Sequence, residues 1–321
     1  GMPIDPAKGG EWTSAACWHN CGGRCMNKVM VKDGAVIRQK TDDTHDDSFD
    51  YPQQRACVRG KAQQQQCFGA DRLKYPIKRK TWSPDNPNGE MRGKDEWERI
   101  SWDEAISHIG DQFKTIKEKY GNQAFLLGSY GSRLAFAPLL AWGGHTSTAD
   151  TTSHGAYLLN TADTIGIPRT DAGVCNDRTD MLNADTIVFY ASNPAWSAAG
   201  TPSYHYIRAK EAGVKFITVD PIYTASAQML DAEWIPIRTG TDTAFLLGVA
   251  SEMIRLDKAE GDIVDWEFLD KYTVGFDADH KPEDLKEDVN FADYLEGKYD
   301  GVKHDAEWAS AICGVPVEKI T

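Results

Sequence analysis

The chain has 321 residues, of which 41% are hydrophobic and 26% are charged, so it can bury a sizeable core or form two domains. This composition excludes a disordered tail and a lone helical hairpin. The 35 Lys and Arg residues against 48 Asp and Glu residues give a net charge of −13, which argues against nucleic-acid binding. No apolar run reaches the roughly 18 residues of a membrane-spanning helix, so direct membrane insertion is not expected.

The first 80 residues are rich in Gly, Gln, Asp and Cys and are predicted to form a small domain of their own. Within them, residues 28–38 contain two apolar runs on either side of Asp33-Gly34. Asp-Gly between such runs is typical of a tight turn between antiparallel strands. A short β-hairpin is therefore predicted in the first domain.

Residues 81–321 alternate short apolar runs with helical segments. Ser101, followed by Glu104 three positions later, predicts the capped start of an amphipathic helix that extends to Tyr120. Strands are predicted at residues 125–128, 186–191 and 214–219, with helices at residues 203–212 and 243–256. A strand, a helix and a strand at this spacing predict a βαβ unit and a parallel sheet.

Four of the seven cysteines lie near the N-terminus, with the spacing Cys17-x3-Cys21-x3-Cys25 and then Cys57. Three closely spaced thiolates and a distant fourth are the ligands that a [4Fe–4S] cluster takes. Zinc sites more often pair their ligands as Cys-x2-Cys. The spacing favours a [4Fe–4S] cluster, with a structural zinc ion or unliganded thiols as the alternatives.

Several motifs resemble the catalytic subunit of the DMSO reductase family of molybdopterin oxidoreductases. The N-terminal ones are Cys17-Trp-His-Asn-Cys21-Gly-Gly-Arg-Cys25, Arg55-Ala-Cys57-Val-Arg59-Gly60, Asp71-Arg-Leu-Lys-Tyr-Pro76 and Trp97-Glu-Arg-Ile-Ser-Trp-Asp-Glu-Ala105. Later ones are Ser192-Asn-Pro194, Val219-Asp220-Pro221 and Trp234-Ile-Pro-Ile-Arg238-Thr-Gly240-Thr-Asp242. The resemblance spans nearly the whole chain.

The resemblance implies an α/β fold with two parts. Residues 1–80 would form a small iron–sulfur domain with short antiparallel strands. Residues 81–321 would form a doubly wound parallel-sheet region that binds nucleotides. The implied cofactors are bis(molybdopterin guanine dinucleotide), holding molybdenum or tungsten, and the [4Fe–4S] cluster that relays electrons to it.

The implied cofactor-binding residues are Arg59, Asn193, Asp220, Arg238, Gly240 and Asp242. Asn193 and Asp220 follow predicted strands, where nucleotides bind in open α/β sheets. Asp220 could accept hydrogen bonds from ribose hydroxyls and Asp242 could accept them from a guanine edge, whereas turn chemistry at strand ends is the alternative for each. By the resemblance, Arg59 would lie between the cluster and the pterin. The alternative interpretation is that Arg59 is a surface arginine in a solvated loop.

The protein ligand of the metal is less clearly marked. Ser153 aligns best with the ligand serine of the family, while His154, Asp150 and Cys175 remain alternatives. If it is not a ligand, the Ser153 hydroxyl could cap a helix. Tyr130 could reach an oxo group or a substrate oxygen with its phenol, or it could be a half-buried core aromatic.

The resemblance implies reduction of a small S- or N-oxide. A second hypothesis keeps the same cofactors but has another reaction, namely catechol dehydroxylation, hydroxyl transfer or hydration. A third hypothesis is a non-catalytic domain that carries the cluster and relays electrons. Expected partners are a ferredoxin-like iron–sulfur subunit and a membrane-anchor subunit, at the extracytoplasmic or periplasmic face, with a cytoplasmic location left open.

Catalytic subunits of this family are much longer than 321 residues, so we expect this chain to be an N-terminal fragment. We expect it to expose a concave face that carries an apolar patch and has Ser153, Asn193, Asp220, Arg238 and Asp242 along its floor. The isolated chain is expected to retain no pterin and to show no turnover.

Overall fold

The computed structural model describes residues 9–17, 19, 21–128, 133–147, 155, 160, 164–165, 176–283 and 289–321. Contacts divide the chain into two units: Gly1–Gln64 with Asp177–Thr321 form unit 1, and Gln65–Asn176 form unit 2. The sequence predicts a first domain of residues 1–80, whereas the contacts end the first segment of unit 1 at Gln64. This N-terminal segment packs with the C-terminal half of the chain. For example, the Arg178 guanidinium donates a hydrogen bond to the carbonyl of Gly22 at 2.9 Å.

The N-terminal part of unit 1 is a three-stranded antiparallel sheet, in the order β1-β2-β3. Its strands are β1 (Glu11–Ala16), β2 (Met26–Lys32) and β3 (Ala35–Thr41). Asp33 and Gly34 join β2 to β3 with φ angles of 51° and 77°, the left-handed pair that a two-residue hairpin turn requires. The predicted hairpin is confirmed. Two short helices follow, α1 (Val58–Lys61) and α2 (Gln63–Phe68).

Unit 2 contains short strands and two longer helices in its described residues. These are β4 (Ile77–Arg79), β5 (Trp97–Arg99), α3 (Trp102–Tyr120), β6 (Leu126–Leu127), α4 (Arg133–Ala141) and β7 (Thr146–Ser147). The α3 helix begins after Ser101, whose side chain accepts a hydrogen bond from the Glu104 N–H at 3.0 Å. The predicted N-cap is confirmed.

The second sheet of unit 1 is parallel and has the order β10-β9-β8. Its elements are β8 (Thr186–Tyr190), α5 (Pro194–Ser197), α6 (Thr201–Glu211), β9 (Lys215–Val219), α7 (Ala225–Leu230) and β10 (Glu233–Ile235). The register pairs Val188 with Ile217, and Ile217 with Glu233. The predicted parallel β8–β9 pair is confirmed, and it brings the segments after both strands to one edge of the sheet.

Helices complete unit 1: α8 (Asp242–Glu260), α9 (Trp266–Tyr272), α10 (Phe291–Leu295), α11 (Ala306–Cys313) and α12 (Val317–Ile320). One apolar core joins this layer to the sheet, with Val219, Ile235, Phe245, Ala309, Cys313 and Val315 buried in it. No helix in the described part of the chain is long and apolar enough to cross a bilayer.

The α8 and α11 helices approach each other closely at Gly248. A Cβ atom at this position would lie 2.5 Å from the Cβ of Ala309. We therefore expect Gly248→Ala to lower the free energy of unfolding by about 1–3 kcal/mol, because the helices must move apart.

The matched control is Gly110→Ala in α3, where no described atom lies within 4 Å of the added Cβ. Alanine there should raise the free energy of unfolding by about 0.5–1 kcal/mol, since it has the higher helix propensity. Urea unfolding curves measure both changes. Equal stability of the two variants would contradict the close packing.

Candidate cofactor site

Two loops bring the four predicted cysteine ligands into one region of unit 1. Cys17 and Cys25 border the loop between β1 and β2, where the Cys17 N–H donates to the Cys25 carbonyl at 2.9 Å. Both are buried, Cys21 and Cys57 are half-buried, and all four are free thiols. Burial raises the pKa of Cys17, and so do the nearby thiols of Cys25, Cys21 and Cys57. The thiols of Cys21, Cys25 and Cys57 therefore all lie near enough to Cys17 to affect its ionisation.

Glycines bring bare backbone against these sulfur atoms. A Cβ on Gly23 would lie 3.1 Å from Cys25 Sγ, and one on Gly60 would lie 3.4 Å from Cys17 Sγ. A Cβ on Gly200 would lie only 2.8 Å from Cys25 Sγ. Because these residues have no Cβ, their backbone can lie against the thiols, and N–H groups near ligating thiolates can donate hydrogen bonds to sulfur.

The environment of Cys57, which immediately precedes α1, favours the thiolate. Burial opposes its ionisation, but hydrogen bonds from the N–H groups of Gly60 and Arg59 and from the Arg59 side chain outweigh burial and lower the pKa. The thiolate is the form of cysteine that binds metals. Cys57 is therefore suited to ligation.

A buried amide near the cysteines also lacks a partner. Asn27 is fully buried, and neither its Nδ2 nor its Oδ1 is hydrogen-bonded within the described residues. It follows Cys25 by two positions, and residues two apart share one face of an extended segment. Buried polar groups normally have partners, and those of the Asn27 amide are not among the described residues.

The donor set consists of four free cysteine thiols, the ligand type that a [4Fe–4S] cluster takes. Among the described residues, no three His, Cys, Asp or Glu side chains are grouped so that they could hold a metal ion. In a four-iron cubane each thiolate binds a different iron, so the thiolates need not meet at one point. Four thiols in one region, lined by glycine backbone, are compatible with such a cluster.

Sequence reasoning did not identify Thr201, the first residue of α6. Its N–H and its hydroxyl lie 3.4 Å and 3.2 Å from Cys25 Sγ, and its hydroxyl accepts a hydrogen bond from the Arg55 N–H at 3.0 Å. Pro202 after Thr201 is a signal for a helix start. Nothing in the sequence indicates a contact with a cysteine 176 positions earlier.

A polar cluster anchors the segment that leads to Cys57. Asp47 accepts hydrogen bonds from the Tyr204 hydroxyl at 2.6 Å and from the Arg55 guanidinium at 2.5 Å. Burial opposes ionisation of Asp47, but these hydrogen bonds and one from the Gln53 N–H lower its pKa to about 2. The Arg55 guanidinium also lies over the Tyr204 ring, 4.4 Å from the centroid. The segment before Cys57 is thus held on α6.

Arg59 joins the cysteine region to the edge of the parallel sheet. Its guanidinium donates to the carbonyls of Trp196 and Ser197 at 3.0 Å and 2.8 Å. These carbonyls belong to the short α5 helix, which follows the end of β8. The side chain is exposed and is fixed to α5 by these two hydrogen bonds.

Asn193 and Asp220 follow the ends of β8 and β9, at the same edge of the sheet. The Asn193 Oδ1 accepts hydrogen bonds from the N–H and the hydroxyl of Ser226 at 3.2 Å and 2.7 Å. The Asp220 Oδ1 accepts one from the Ile222 N–H at 3.0 Å. The Asn193 oxygen therefore joins the end of β8 to α7, whereas one Asp220 oxygen takes part in a turn. The nucleotide-binding role of both residues stays a prediction.

The motif at residues 238–242 has a clear structural role. The Arg238 guanidinium donates to the carbonyls of Ala311 and Ile312 at 3.1 Å and 3.2 Å, at the C-terminal end of α11. Gly240 has a φ angle of 79°, which glycine adopts readily. Burial and the negative charge of Asp242 raise the pKa of Tyr190 to about 12, so Asp242 lies near the end of β8. A cofactor role for these residues stays a prediction.

The proposed metal ligand and phenol lie outside the described residues. This applies to Ser153 and Tyr130, and also to the alternatives His154, Asp150 and Cys175. Their roles stay predictions.

Comparisons with known proteins identify the family. A family model described as Molybdopterin oxidoreductase matches residues 72–264, more than half of the chain. The dimethyl sulfoxide reductases DmsA of Haemophilus influenzae and Escherichia coli strain K12 are 33% and 34% identical to this chain, each over 95% of it. The trimethylamine-N-oxide reductase of H. influenzae is 31% identical over 96% of the chain.

The chain spans 38% of the length of either DmsA relative and 36% of the trimethylamine-N-oxide reductase. The acetylene hydratase of Pelobacter acetylenicus shares the fold, with a TM-score of 0.59 and 24% identity over 92% of this chain and 36% of that chain. The family match and the level of identity to the reductases place this chain among the molybdopterin oxidoreductases, as a member of the DMSO reductase family.

Proposed function

We propose that this chain forms the cluster-bearing part of the catalytic subunit of a reductase that removes oxygen from a small S- or N-oxide. The observation that carries the proposal is the position of Arg59. Its guanidinium donates hydrogen bonds to the carbonyls that follow β8, and its positive charge lies close enough to Cys57 to help lower the pKa of that thiol. One residue thus connects the candidate cluster ligands to the sheet edge where nucleotides bind in this class of fold.

In this proposal, Cys17, Cys21, Cys25 and Cys57 hold a [4Fe–4S] cluster, and Asn193, Asp220 and Asp242 contribute to binding bis(molybdopterin guanine dinucleotide). When bound, these groups supply the redox chemistry, and the protein supplies orientation and potential. The fixed positive charge of Arg59 favours the reduced form of a nearby cluster. Ser153 and Tyr130 are proposed to act as the metal ligand and as a hydrogen-bond donor to the substrate oxygen.

The sheet edge also exposes apolar side chains. Trp196 is 76% exposed, and Ile222 and Tyr223 are 65% and 52% exposed. All three lie in the segments that follow β8 and β9. Exposed apolar groups beside polar ones are typical of surfaces that a ligand or another part of a protein covers. This supports the proposal that this edge is a binding surface.

The proposed partners are a ferredoxin-like iron–sulfur subunit, which would deliver electrons, and a membrane-anchor subunit. The proposed location is the extracytoplasmic or periplasmic face. The resemblance to the DMSO reductase family is the support for both.

The test uses the complete protein that carries this sequence, purified without oxygen after expression in a host that makes the pterin. Reduced viologen supplies electrons, and dimethyl sulfoxide, trimethylamine N-oxide, catechol and acetylene are offered in parallel. We expect turnover of an oxide and about one molybdenum or tungsten atom per chain. Turnover of catechol or acetylene alone would favour the other reactions, and a cluster without molybdenum or tungsten would favour the electron relay.

Arg59 gives a prediction about electron delivery. Arg59→Ala removes the positive charge and the link to the Trp196 and Ser197 carbonyls, so we expect viologen-driven turnover to fall by about 10–100-fold. We also expect a lower midpoint potential of the cluster, because the reduced form loses a nearby positive charge. Arg92→Ala, at an exposed position in unit 2, is the matched control and should behave as wild type. Unchanged turnover in Arg59→Ala would contradict the proposed role.

A further inference from the structure

We propose that Thr201 is a positioning residue for the cluster: its hydroxyl holds Cys25 in place and raises the reduction potential of the bound cluster. This inference depends on the proposed function, because it assumes that the cysteines hold a cluster. It assigns a role to a residue that belongs to none of the cysteine motifs.

The first step is the direction of the Thr201 hydroxyl proton. The hydroxyl oxygen lies 3.2 Å from Cys25 Sγ and 3.4 Å from the Arg55 carbonyl oxygen. Hydrogen bonds between two oxygens are normally about 2.5–3.0 Å long, so 3.4 Å is a poor one. Sulfur is larger than oxygen, and 3.2 Å is a close contact for it. The single hydroxyl proton is therefore donated to Cys25 Sγ.

The second step concerns the other side of the hydroxyl. Its oxygen accepts a hydrogen bond from the Arg55 N–H at 3.0 Å, two residues before Cys57. Thr201 therefore connects the loop that carries Cys25 to the segment that carries Cys57. It is 1% exposed, so water does not compete for either hydrogen bond.

The third step is the effect on potential. A hydrogen bond donated to a ligating thiolate stabilises negative charge on the sulfur. Reduction adds negative charge to a cluster, so the bond favours the reduced form and raises the potential. The backbone N–H of Thr201, at 3.4 Å from the same sulfur, is present in every variant. A side-chain substitution therefore isolates the contribution of the hydroxyl.

The experiment compares Thr201→Val and Thr201→Ser in the full chain, purified or reconstituted without oxygen. Valine keeps the shape and removes the hydroxyl, whereas serine keeps the hydroxyl. The matched control is Thr218→Val, because Thr218 is fully buried in β9 and its hydroxyl has no partner among the described residues. Iron content measures loading, and a redox titration followed by electron paramagnetic resonance measures the midpoint potential.

We expect a lower midpoint potential for Thr201→Val, and wild-type values for Thr201→Ser and Thr218→Val. A low iron content in Thr201→Val, with normal iron content in the other two variants, would also support the proposal, because the hydroxyl would then be needed to hold Cys25. Equal loading and equal potential of Thr201→Val and wild type would overturn it. Poor loading of Thr201→Ser would overturn it as well. A wild-type chain without a cluster would instead reject the proposed function on which this inference depends.

Discussion

Cys25→Ser is expected to remove the cluster from the protein. Cys25 is 4% exposed, and its sulfur lies against Gly200 and accepts hydrogen bonds from Thr201. A serine oxygen is smaller and harder than sulfur, and its hydroxyl is not ionised at neutral pH, so it cannot replace a soft thiolate ligand in this fixed position. We expect iron and acid-labile sulfide to fall from about four per chain to below one.

The control for this prediction is Cys67→Ser. Cys67 is an exposed free thiol in α2 and is not one of the four proposed ligands. Its variant should retain the iron content, the sulfide content and the visible absorption of the wild type. Full loading of Cys25→Ser, with an unchanged spectrum, would remove Cys25 from the ligand set.

Gly200→Ala is expected to disrupt the same region through the backbone. An added Cβ would lie 2.6 Å from the Arg55 carbonyl oxygen, 2.8 Å from Cys25 Sγ and 3.2 Å from the Cys57 nitrogen. Two of these neighbours are backbone atoms, so the segment before Cys57 must shift. We expect the free energy of unfolding to fall by about 1–3 kcal/mol and cluster loading to fall with it.

Two further glycine variants allow the effect of Gly200→Ala to be ranked by how much space surrounds the added Cβ. Gly60→Ala should have a smaller effect, because its nearest neighbours are the Ala56 Cβ at 3.0 Å and Cys17 Sγ at 3.4 Å. Gly89→Ala has no described atom within 4 Å of the added Cβ, so its cluster content and its free energy of unfolding should equal those of the wild type. Denaturant unfolding and iron analysis rank the three variants. A Gly200→Ala protein as stable and as fully loaded as Gly89→Ala would contradict the close approach.

Local signals in the sequence predicted a large part of the fold. The Asp33-Gly34 turn, the Ser101 cap and the β8–β9 pair each depend on residues that are near in sequence or on one short crossover. In such cases backbone preference and hydrophobic pattern decide the outcome without long-range information. The role of the four cysteines as cluster ligands, by contrast, stays a prediction.

Contacts between distant segments could not be predicted in this way. The hydrogen bond from Thr201 to Cys25 joins residues 176 positions apart, and that from Arg59 to Ser197 joins residues 138 apart. The pattern around Thr201 indicates only the start of a helix. Which loop meets that helix end depends on how the two sheets of unit 1 pack, and single-residue patterns carry no information on it.

Two candidate site residues show how the sequence can leave a role undecided. The Arg238 guanidinium binds the last carbonyls of α11, where a positive charge is favourable at a helix C-terminus. Asp220 accepts a hydrogen bond from a backbone N–H two residues ahead, as an aspartate at a turn commonly does. Both positions combine structural duties with their proposed cofactor role. Residue type alone could not distinguish the two.

The central claim is that Cys17, Cys21, Cys25 and Cys57 hold a four-iron cluster. Mössbauer spectroscopy of the protein, purified without oxygen from cells grown on iron-57, tests it most directly. The claim predicts the spectrum of a [4Fe–4S] cluster, with about four iron atoms per chain and a loss of that spectrum in the Cys25→Ser variant. A protein that contains zinc in place of iron, or that remains free of iron after reconstitution with iron and sulfide, would contradict it.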